Sequence, residues 1–251
     1  MVKPPDTAMR PKQRSNAVPN EATGELITMK RRNATAPIVL WWGVMFLSLP
    51  AAWGQVIGET RSRLDTLNAD KQEATFCNLA ADAFRASAKA DIALINASAF
   101  SPGSINPGSI TTAQVESLFQ FPNDRLVVVE LSGETITRMM ERSVGVYPTP
   151  NDGFLHVSGL KVVFDPSRPS GERIVSIKRV EGGKELPLDS SKSYRVATCR
   201  AIARGGLGYF KIVGPNVQIQ TLNETAAESV VNFIRAAGSV NYGKENRVSA
   251  K

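Results

Sequence analysis

The sequence predicts a single α+β domain over residues 55–240, built from mixed sheets with flanking helices. Three observations predict this fold class. Helical patterns dominate the first half of the range, alternating strand patterns dominate the second half, and no internal repeat or low-complexity tract interrupts them. With 251 residues and 42% hydrophobic side chains, the chain can bury a substantial core.

Helices are predicted where a capping residue precedes an apolar stripe. The predicted helices are 70–88 with a capping box at 70–73, 111–119 with a capping box at 111–114, 133–142 capped by Ser132, and a last helix capped by Asn223 that reaches Ala237. On the third of these, Glu134, Arg138, Glu141 and Arg142 have the spacing of solvated ion pairs.

Strands are predicted at apolar runs and at alternating patterns. They cover residues 91–95, 125–131, 154–164 and 173–180, with two more around a polar turn in 184–198. A glycine-rich tight loop follows at 205–208. Residues 241–251 carry no clear pattern and are interpreted as a tail.

The charge of the chain is concentrated at its N-terminus. Residues 1–55 carry seven of the 30 basic and three of the 23 acidic side chains, so the remainder has a net charge of only +3. This distribution removes the main support for a nucleic-acid partner.

Residues 29–54 have the pattern of a secretory signal peptide. Three basic residues at 30–32 precede an uncharged apolar run at 36–49, and small residues at 52 and 54 suit a signal peptidase. The run is short for a bilayer span, although an uncleaved anchor is the alternative. Residues 1–28 are polar and are predicted to be disordered, or untranslated if Met29 is the start. We therefore expect a periplasmic or secreted protein without membrane contact after cleavage.

An oxidising compartment would allow the two cysteines, Cys77 and Cys199, to form a disulfide. Two unrelated buried thiols are an equally good interpretation, because cysteine is often a small core residue. The sequence leaves both open.

Several segments, in order, resemble the C-terminal domain of the 5′-nucleotidase family. They are "IGETRSRLDTLNADKQEATFCNLAADAFRASAKADIALINASAF", "GSITTAQVESLFQFPNDRLVVVELSGETI", "FLHVSGLKVVFDPSRPSGERIVSI", "YRVAT" and "ARGGLGYF". The resemblance covers about residues 57–233. It implies the α+β fold of that domain, which in the family binds the nucleotide, while a separate N-terminal metallophosphatase domain holds two divalent metals and performs hydrolysis.

The residues of this chain offer no catalytic site of their own. A two-metal phosphatase site needs several converging histidines and carboxylates, and the chain has one histidine, His156, in a predicted strand. There is no P-loop and no nucleophile elbow, although Ser, His and Asp all occur. We expect no catalytic residues and no metal or other cofactor in this chain.

The resemblance transfers five candidate ligand-binding residues: Asn96 of the strand-end loop, Phe121 as the first stacking aromatic, Asn123, Gly205 and Gly206. Other positions depart from the family. Gln72 and Ser101 replace arginines, Ala201 replaces the second stacking aromatic, Leu207 replaces a sugar-binding aspartate, and residues 97–99 replace three glycines.

Each candidate also has an ordinary structural role. An aromatic at the position of Phe121 is usually core, Asn96 could form an Asx turn, and the glycines could only permit a tight turn. Arg125, Arg200 or Arg204 could replace the missing arginines from neighbouring loops.

Two functions follow from these residues. The first is a non-catalytic, exported module with a degenerate nucleotide pocket, which binds a nucleotide, nucleoside, other small molecule or protein partner. The second is the substrate-binding half of a split periplasmic 5′-nucleotidase, with a separate metallophosphatase chain that carries the two metals. A fragment of a longer gene is a third interpretation.

Overall fold

The computed structural model of the protein describes residues 54–251. Residues 1–53, which contain the polar N-terminal segment and all but the last residue of the predicted signal peptide, lie outside the described residues. The strands are β1 (Val56–Thr60), β2 (Leu64–Asp65), β3 (Ile92–Asn96), β4 (Ser104–Ile105), β5 (Gly108–Thr111), β6 (Arg125–Ser132), β7 (Leu155–Ser158), β8 (Leu160–Phe164), β9 (Ile174–Glu181), β10 (Lys184–Pro187), β11 (Ser193–Thr198), β12 (Ile219–Thr225), β13 (Ser239–Val240) and β14 (Val248–Ala250).

The helices lie between these strands and cover the sheets. They are α1 (Thr75–Ala88), α2 (Thr112–Ser117), α3 (Gly133–Val144), α4 (Arg200–Ala203), α5 (Phe210–Val213) and α6 (Ala226–Ala237), with a 3₁₀ turn at Ala97–Ala99. Among residues 54–251, no helix has the length and apolar character needed to cross a bilayer.

A five-stranded mixed sheet with the order β12-β6-β11-β3-β7 forms the centre of the fold. β11 pairs in parallel with β3, and the other neighbours are antiparallel. The apolar run of β6 is buried on successive residues 126–129, as expected for a strand covered on both faces. Helix α1 packs against β3 and β7, and α3 packs against β6. The predicted α+β class is confirmed.

A second sheet has the order β10-β9-β8-β14. The alternating sequence pattern predicts β7 and β8 as one strand, but the chain turns at Gly159, which has φ +76°. A Cβ atom there would lie 2.4 Å from the carbonyl oxygen of Asp91, so this junction requires glycine. The two halves of the predicted strand belong to different sheets.

Two of the predicted helix caps are confirmed and two are wrong. Thr111 accepts from the backbone N–H of Gln114 at 3.3 Å within a capping box, and Ser132 caps α3. Asn223 instead lies in β12, a strand that the sequence pattern does not predict, and Thr225 caps α6. The interval 70–73 is not a cap, because α1 begins at Thr75 after Ala74, which has no side-chain capping bond.

The carboxylate of Glu73 is buried and binds the segment at 241–251, which was expected to be a tail. It accepts from the backbone N–H of Glu245 at 2.6 Å and of Arg247 at 2.9 Å, and from the side-chain amide of Asn78. β14 then pairs in parallel with β8. The packed structure therefore continues past residue 240, through strand β14.

Arg247 fixes this C-terminal segment to helix α1 through an ion pair with Asp82. Its two terminal nitrogens donate to the two carboxylate oxygens, each at 2.8 Å, and Tyr242 donates to the same carboxylate at 2.9 Å. Burial would raise the pKa of Asp82, but the hydrogen bonds and charge of Arg247, with hydrogen bonds from Ser158 and Tyr242, hold it below its usual value. We call Asp82, Tyr242 and Arg247 the C-terminal clamp.

We predict that Arg247→Ala lowers the free energy of unfolding by about 3 kcal/mol at pH 7, because it leaves the Asp82 carboxylate buried without its cation. Since the folded pKa of Asp82 is depressed, the clamp stabilises the fold above the unfolded pKa, and that stabilisation is lost as the pH falls through the folded pKa. The difference between wild type and variant should therefore shrink below about pH 4. Urea unfolding at several pH values measures it.

The matched control is Arg168→Ala, which removes an arginine from a surface pair with Asp165 at 3.8 Å. We expect this change to cost less than about 1 kcal/mol, because solvent screens exposed pairs. Equal losses in the two variants would contradict the role of the clamp.

Candidate functional site

The predicted site residues lie at one end of the central sheet, around a cavity of about 130 Å³. Because β3 and β11 are parallel, both end there, and β6, antiparallel to β11, begins there. The cavity is lined by the 3₁₀ turn after β3, the loop before β6, the α4 loop and the start of α6. Its lining residues are Asn96, Ser98, Ala99, Phe119, Phe121, Asp124, Cys199, Ala201, Leu207 and Ala226.

Asn96, the last residue of β3, is 3% exposed and forms part of the cavity wall. Its amide nitrogen donates to the hydroxyl of Ser98 at 2.9 Å. Its carbonyl oxygen Oδ1 is buried and has no hydrogen-bond partner in the described part of the chain. An unsatisfied buried oxygen is costly unless a ligand or a water molecule supplies a donor.

Phe121 is 58% exposed, so the expectation that it belongs to the core is wrong. Phe119, two residues earlier, has that role: it is 4% exposed and packs edge-on against Phe76 at 5.5 Å between ring centroids. The path of the chain after α2 turns one ring inward and leaves the other at the mouth of the cavity.

Ala201 and Leu207, which replace a stacking aromatic and a sugar-binding aspartate in the resemblance, line the same cavity. Of the five transferred candidates, Asn96 and Phe121 therefore line one cavity together with Ala201 and Leu207. Asn123, Gly205 and Gly206 do not line it. Asn123 is exposed in the loop before β6, and both glycines belong to the turn after α4.

The two glycines are required by close backbone packing. Gly205 has φ +77°, and a Cβ atom on it would lie 2.5 Å from the Cα atom of Phe210. A Cβ atom on Gly206 would lie 2.8 Å from the carbonyl oxygen of Ala201. The two glycines shape the cavity indirectly, because they fix the backbone of the loop that carries Leu207.

Arg142 holds the same loop, although its spacing on α3 predicts only a solvated pair. Its guanidinium donates to the carbonyl oxygen of Leu207 at 3.0 Å and lies 5.9 Å from the ring centroid of Tyr209. Glu141 accepts from the backbone N–H groups of Arg173 and Ile174. No ion pair joins the charged residues of α3 to one another within residues 54–251.

The electrostatics of the cavity differ from those of an anion site. Its lining contains no lysine, arginine or histidine, and Arg125, Arg200 and Arg204 are outside the lining. Arg200 instead donates to the hydroxyl of Thr221 at 3.2 Å. Ser101, at the position of the missing loop arginine, bonds Gln120.

Among the polar residues of the cavity wall, Asp124 and Cys199 were not predicted from the sequence. Burial, with a smaller effect of the Asp124 charge, raises the pKa of the Cys199 thiol to about 12. Both cysteines are free, with Cys77 buried in α1, so the pairing that the sequence left open is not formed. The adjacency of Asp124 to the matched Asn123 in "QFPND" was the signal that could have identified it.

His156 is 2% exposed and packs in the core of β7. Its Nε2 atom lies 2.9 Å from the carbonyl oxygen of Ala69, and its ring contacts Phe100 and Phe154 edge-on. Burial lowers its pKa to about 4, partly opposed by the Ala69 hydrogen bond and reinforced by the charge of Arg247. Residues 54–251 contain no group of three or more His, Cys, Asp or Glu side chains placed to hold a metal ion.

Comparison with known proteins agrees with this architecture. Residues 55–214 match the family described as 5′-nucleotidase, C-terminal domain. The chain therefore belongs to that family.

The relatives match this chain over only part of their own length. An apyrase of Tabanus yao is 28% identical over 155 residues, which cover 58% of this chain and 27% of that protein. The trifunctional nucleotide phosphoesterase protein YfkN of Bacillus subtilis is 29% identical over 55% of this chain and 10% of that protein. The chain thus spans about a quarter or less of the length of these relatives.

Solved structures show the same fold. The 5′-nucleotidase precursor from Thermus thermophilus superposes with a TM-score of 0.72 at 31% identity, covering 78% of this chain and 39% of that chain. The NAD nucleotidase of Haemophilus influenzae superposes with a TM-score of 0.69 at 18% identity, over 78% and 38% of the two chains.

We predict that Phe121→Ala changes the free energy of unfolding by less than about 0.5 kcal/mol, because the ring is exposed. The matched control Phe119→Ala deletes a buried ring and should cost about 3–5 kcal/mol. Chemical denaturation measures both. A large loss of stability in the Phe121 variant would contradict the exposed position of that ring.

A second prediction concerns pH. Because the folded pKa of His156 lies near 4, below its usual value near 6.5, the unfolded chain takes up the proton first as the pH falls. Between pH 7 and 4 the wild type should therefore lose up to about 3 kcal/mol more stability than His156→Gln. Parallel pH profiles for the two proteins would contradict a buried, neutral imidazole.

Proposed function

We propose that this protein is an exported, non-catalytic binding module whose pocket has lost its affinity for nucleotide phosphates. The observation that supports the proposal is the composition of the cavity wall. Asn96, Phe121, Ala201 and Leu207 line the cavity, and its lining carries an aspartate and no cationic side chain.

The size of the cavity supports a small ligand. Pockets for drug-sized molecules occupy about 300–1,000 Å³, whereas an engineered cavity of about 150 Å³ holds benzene. The 130 Å³ cavity of this chain therefore suits a single ring, with the remainder of a ligand in solvent.

The missing contacts would weaken nucleotide binding strongly. A hydrogen bond to a charged group contributes about 1.5–3 kcal/mol, and an aromatic stack contributes about 1–3 kcal/mol. Loss of two arginines and one ring amounts to about a thousandfold in affinity or more. The charge of Asp124 at the cavity would oppose a phosphate further.

Export is part of the proposal and rests on the sequence of residues 29–54, which suits a cleaved signal peptide. A periplasmic or extracellular location follows from that sequence. Fractionation of cells that express the full chain, with N-terminal sequencing of the product, tests both the location and the cleavage.

One feature favours a second candidate function, the substrate-binding half of a split nucleotidase. The exposed ring of Phe121 still lies where a base could stack. Such a half-site has to hold the nucleotide for a separate metallophosphatase chain, so this candidate requires measurable AMP binding. The first candidate requires its absence.

We predict that the purified protein releases no phosphate from AMP with added Mg²⁺, Mn²⁺ or Zn²⁺, and that AMP at about 1 mM leaves its melting temperature unchanged. A dissociation constant above about 10 mM gives less than about 0.1 kcal/mol of linkage stabilisation at that concentration. Phosphate release and a thermal-shift titration measure the two quantities.

Metal-dependent turnover by the pure protein would contradict the non-catalytic proposal. A shift of several degrees with AMP and no turnover would favour the split nucleotidase. The matched variant Ser101→Arg returns one missing arginine, and we expect it to bind AMP about tenfold more tightly than wild type.

A further inference from the structure

The polar groups in the cavity wall share one property: they can accept hydrogen bonds and none is a cation. They are the Asp124 carboxylate, the Asn96 carbonyl oxygen, the Ser98 hydroxyl and the Cys199 thiol. Their sum is one negative charge. A wall of this composition favours a ligand that donates hydrogen bonds and carries positive charge.

Asp124 supplies the negative charge of the cavity wall, and its carboxylate is not neutralised by an ion pair among the described residues. Its backbone is fixed at both ends, because its N–H donates to Phe121 at 3.1 Å and its carbonyl oxygen accepts from Ala226 at 2.8 Å. Its carboxylate forms no ion pair within residues 54–251. The loop therefore presents a negative group at the cavity from a fixed backbone position.

Asn96 supplies an independent indication of a ligand. The residue is 3% exposed, lines the cavity and uses its amide nitrogen on Ser98, yet its oxygen has no partner among the described residues. A protein interior rarely leaves such an oxygen unpaired. An N–H group of a bound molecule would satisfy it.

Phe121 supplies a surface that attracts cations. The ring is exposed, lines the cavity and lies three residues before Asp124 in the same loop. The face of an aromatic ring carries negative electrostatic potential, so an ammonium group beside it is stabilised, more so when water is excluded. Ala201 leaves room in the wall, where the resemblance implies a second ring.

We propose that this cavity binds a small organic ammonium compound, with a body of about one ring packed against Phe121 and the ammonium group between Asp124 and Asn96. The proposal rests on the binding module proposed above and names its ligand class. It reverses the charge preference of a phosphate-binding pocket on the same scaffold. Among the residues that line the cavity, Asp124 alone carries a charged side chain, so it sets the sign of the site.

Three probes of nearly equal shape test the charge preference: benzylamine, benzyl alcohol and benzoate. We expect calorimetric or NMR titration of the purified protein at pH 7 to give binding in the order benzylamine, benzyl alcohol, benzoate. Benzylamine should bind about tenfold more tightly than benzyl alcohol. Equal binding of the three, or a preference for benzoate, would overturn the proposal.

Matched variants test whether the amine preference arises at this cavity. Asp124→Asn keeps the shape of the side chain and should reduce the benzylamine preference about fivefold or more, while Glu172→Gln removes an exposed carboxylate elsewhere and should leave it unchanged. Phe121→Leu should weaken all three probes about tenfold. A preference that survives Asp124→Asn would overturn the assignment of the site.

The outcome is separable from that of the proposed function. The AMP experiments address catalysis and phosphate binding, whereas the benzyl probes carry no phosphate and address only the sign of the pocket. Turnover of AMP would remove the proposed function, and loss of the amine preference in an inactive protein would remove only this inference.

Discussion

The parallel pairing of β3 with β11 is the constraint on which the site depends. Their register, with Thr198 opposite Leu94, makes both strands end at the same side of the central sheet. The antiparallel pairing of β6 with β11 brings the start of β6 to that side as well. Asn96, Cys199 and Asp124 come together there although they are far apart in the chain. Sheet hydrogen bonds between backbones set this arrangement, so the side chains at the strand ends are free to change.

That freedom explains how a family scaffold can persist while its binding chemistry changes. The core of the sheet is built from buried aliphatic and aromatic side chains, and the cavity lies beyond the strand ends in loops. Side chains in these loops can therefore differ while the sheet stays the same, although Leu207 also packs against the core. Gly205, Gly206 and Arg142 act on the cavity through the backbone path of the loop that carries Leu207.

Local sequence patterns predicted two of the four helix caps. The Thr111 box and the Ser132 cap form from residues three apart, and both are predicted correctly. The role of Glu73 could not be predicted, because its partners, the N–H groups at 245 and 247, lie more than 170 residues away. Phe119 and Phe121 have equal hydrophobicity, and only the turn between α2 and β6 decides which ring is buried. Asp124 was not predicted because its neighbours at the cavity come from three other segments.

The position of the C-terminal clamp in the chain has a consequence for biosynthesis. Glu73 and Asp82 lie early in the domain, and the groups that neutralise or satisfy them arrive with residues 242–247. If α1 packed against β3 and β7 before those residues were present, the Asp82 carboxylate would be buried without its cation, which costs free energy. Early packing of this helix is therefore disfavoured.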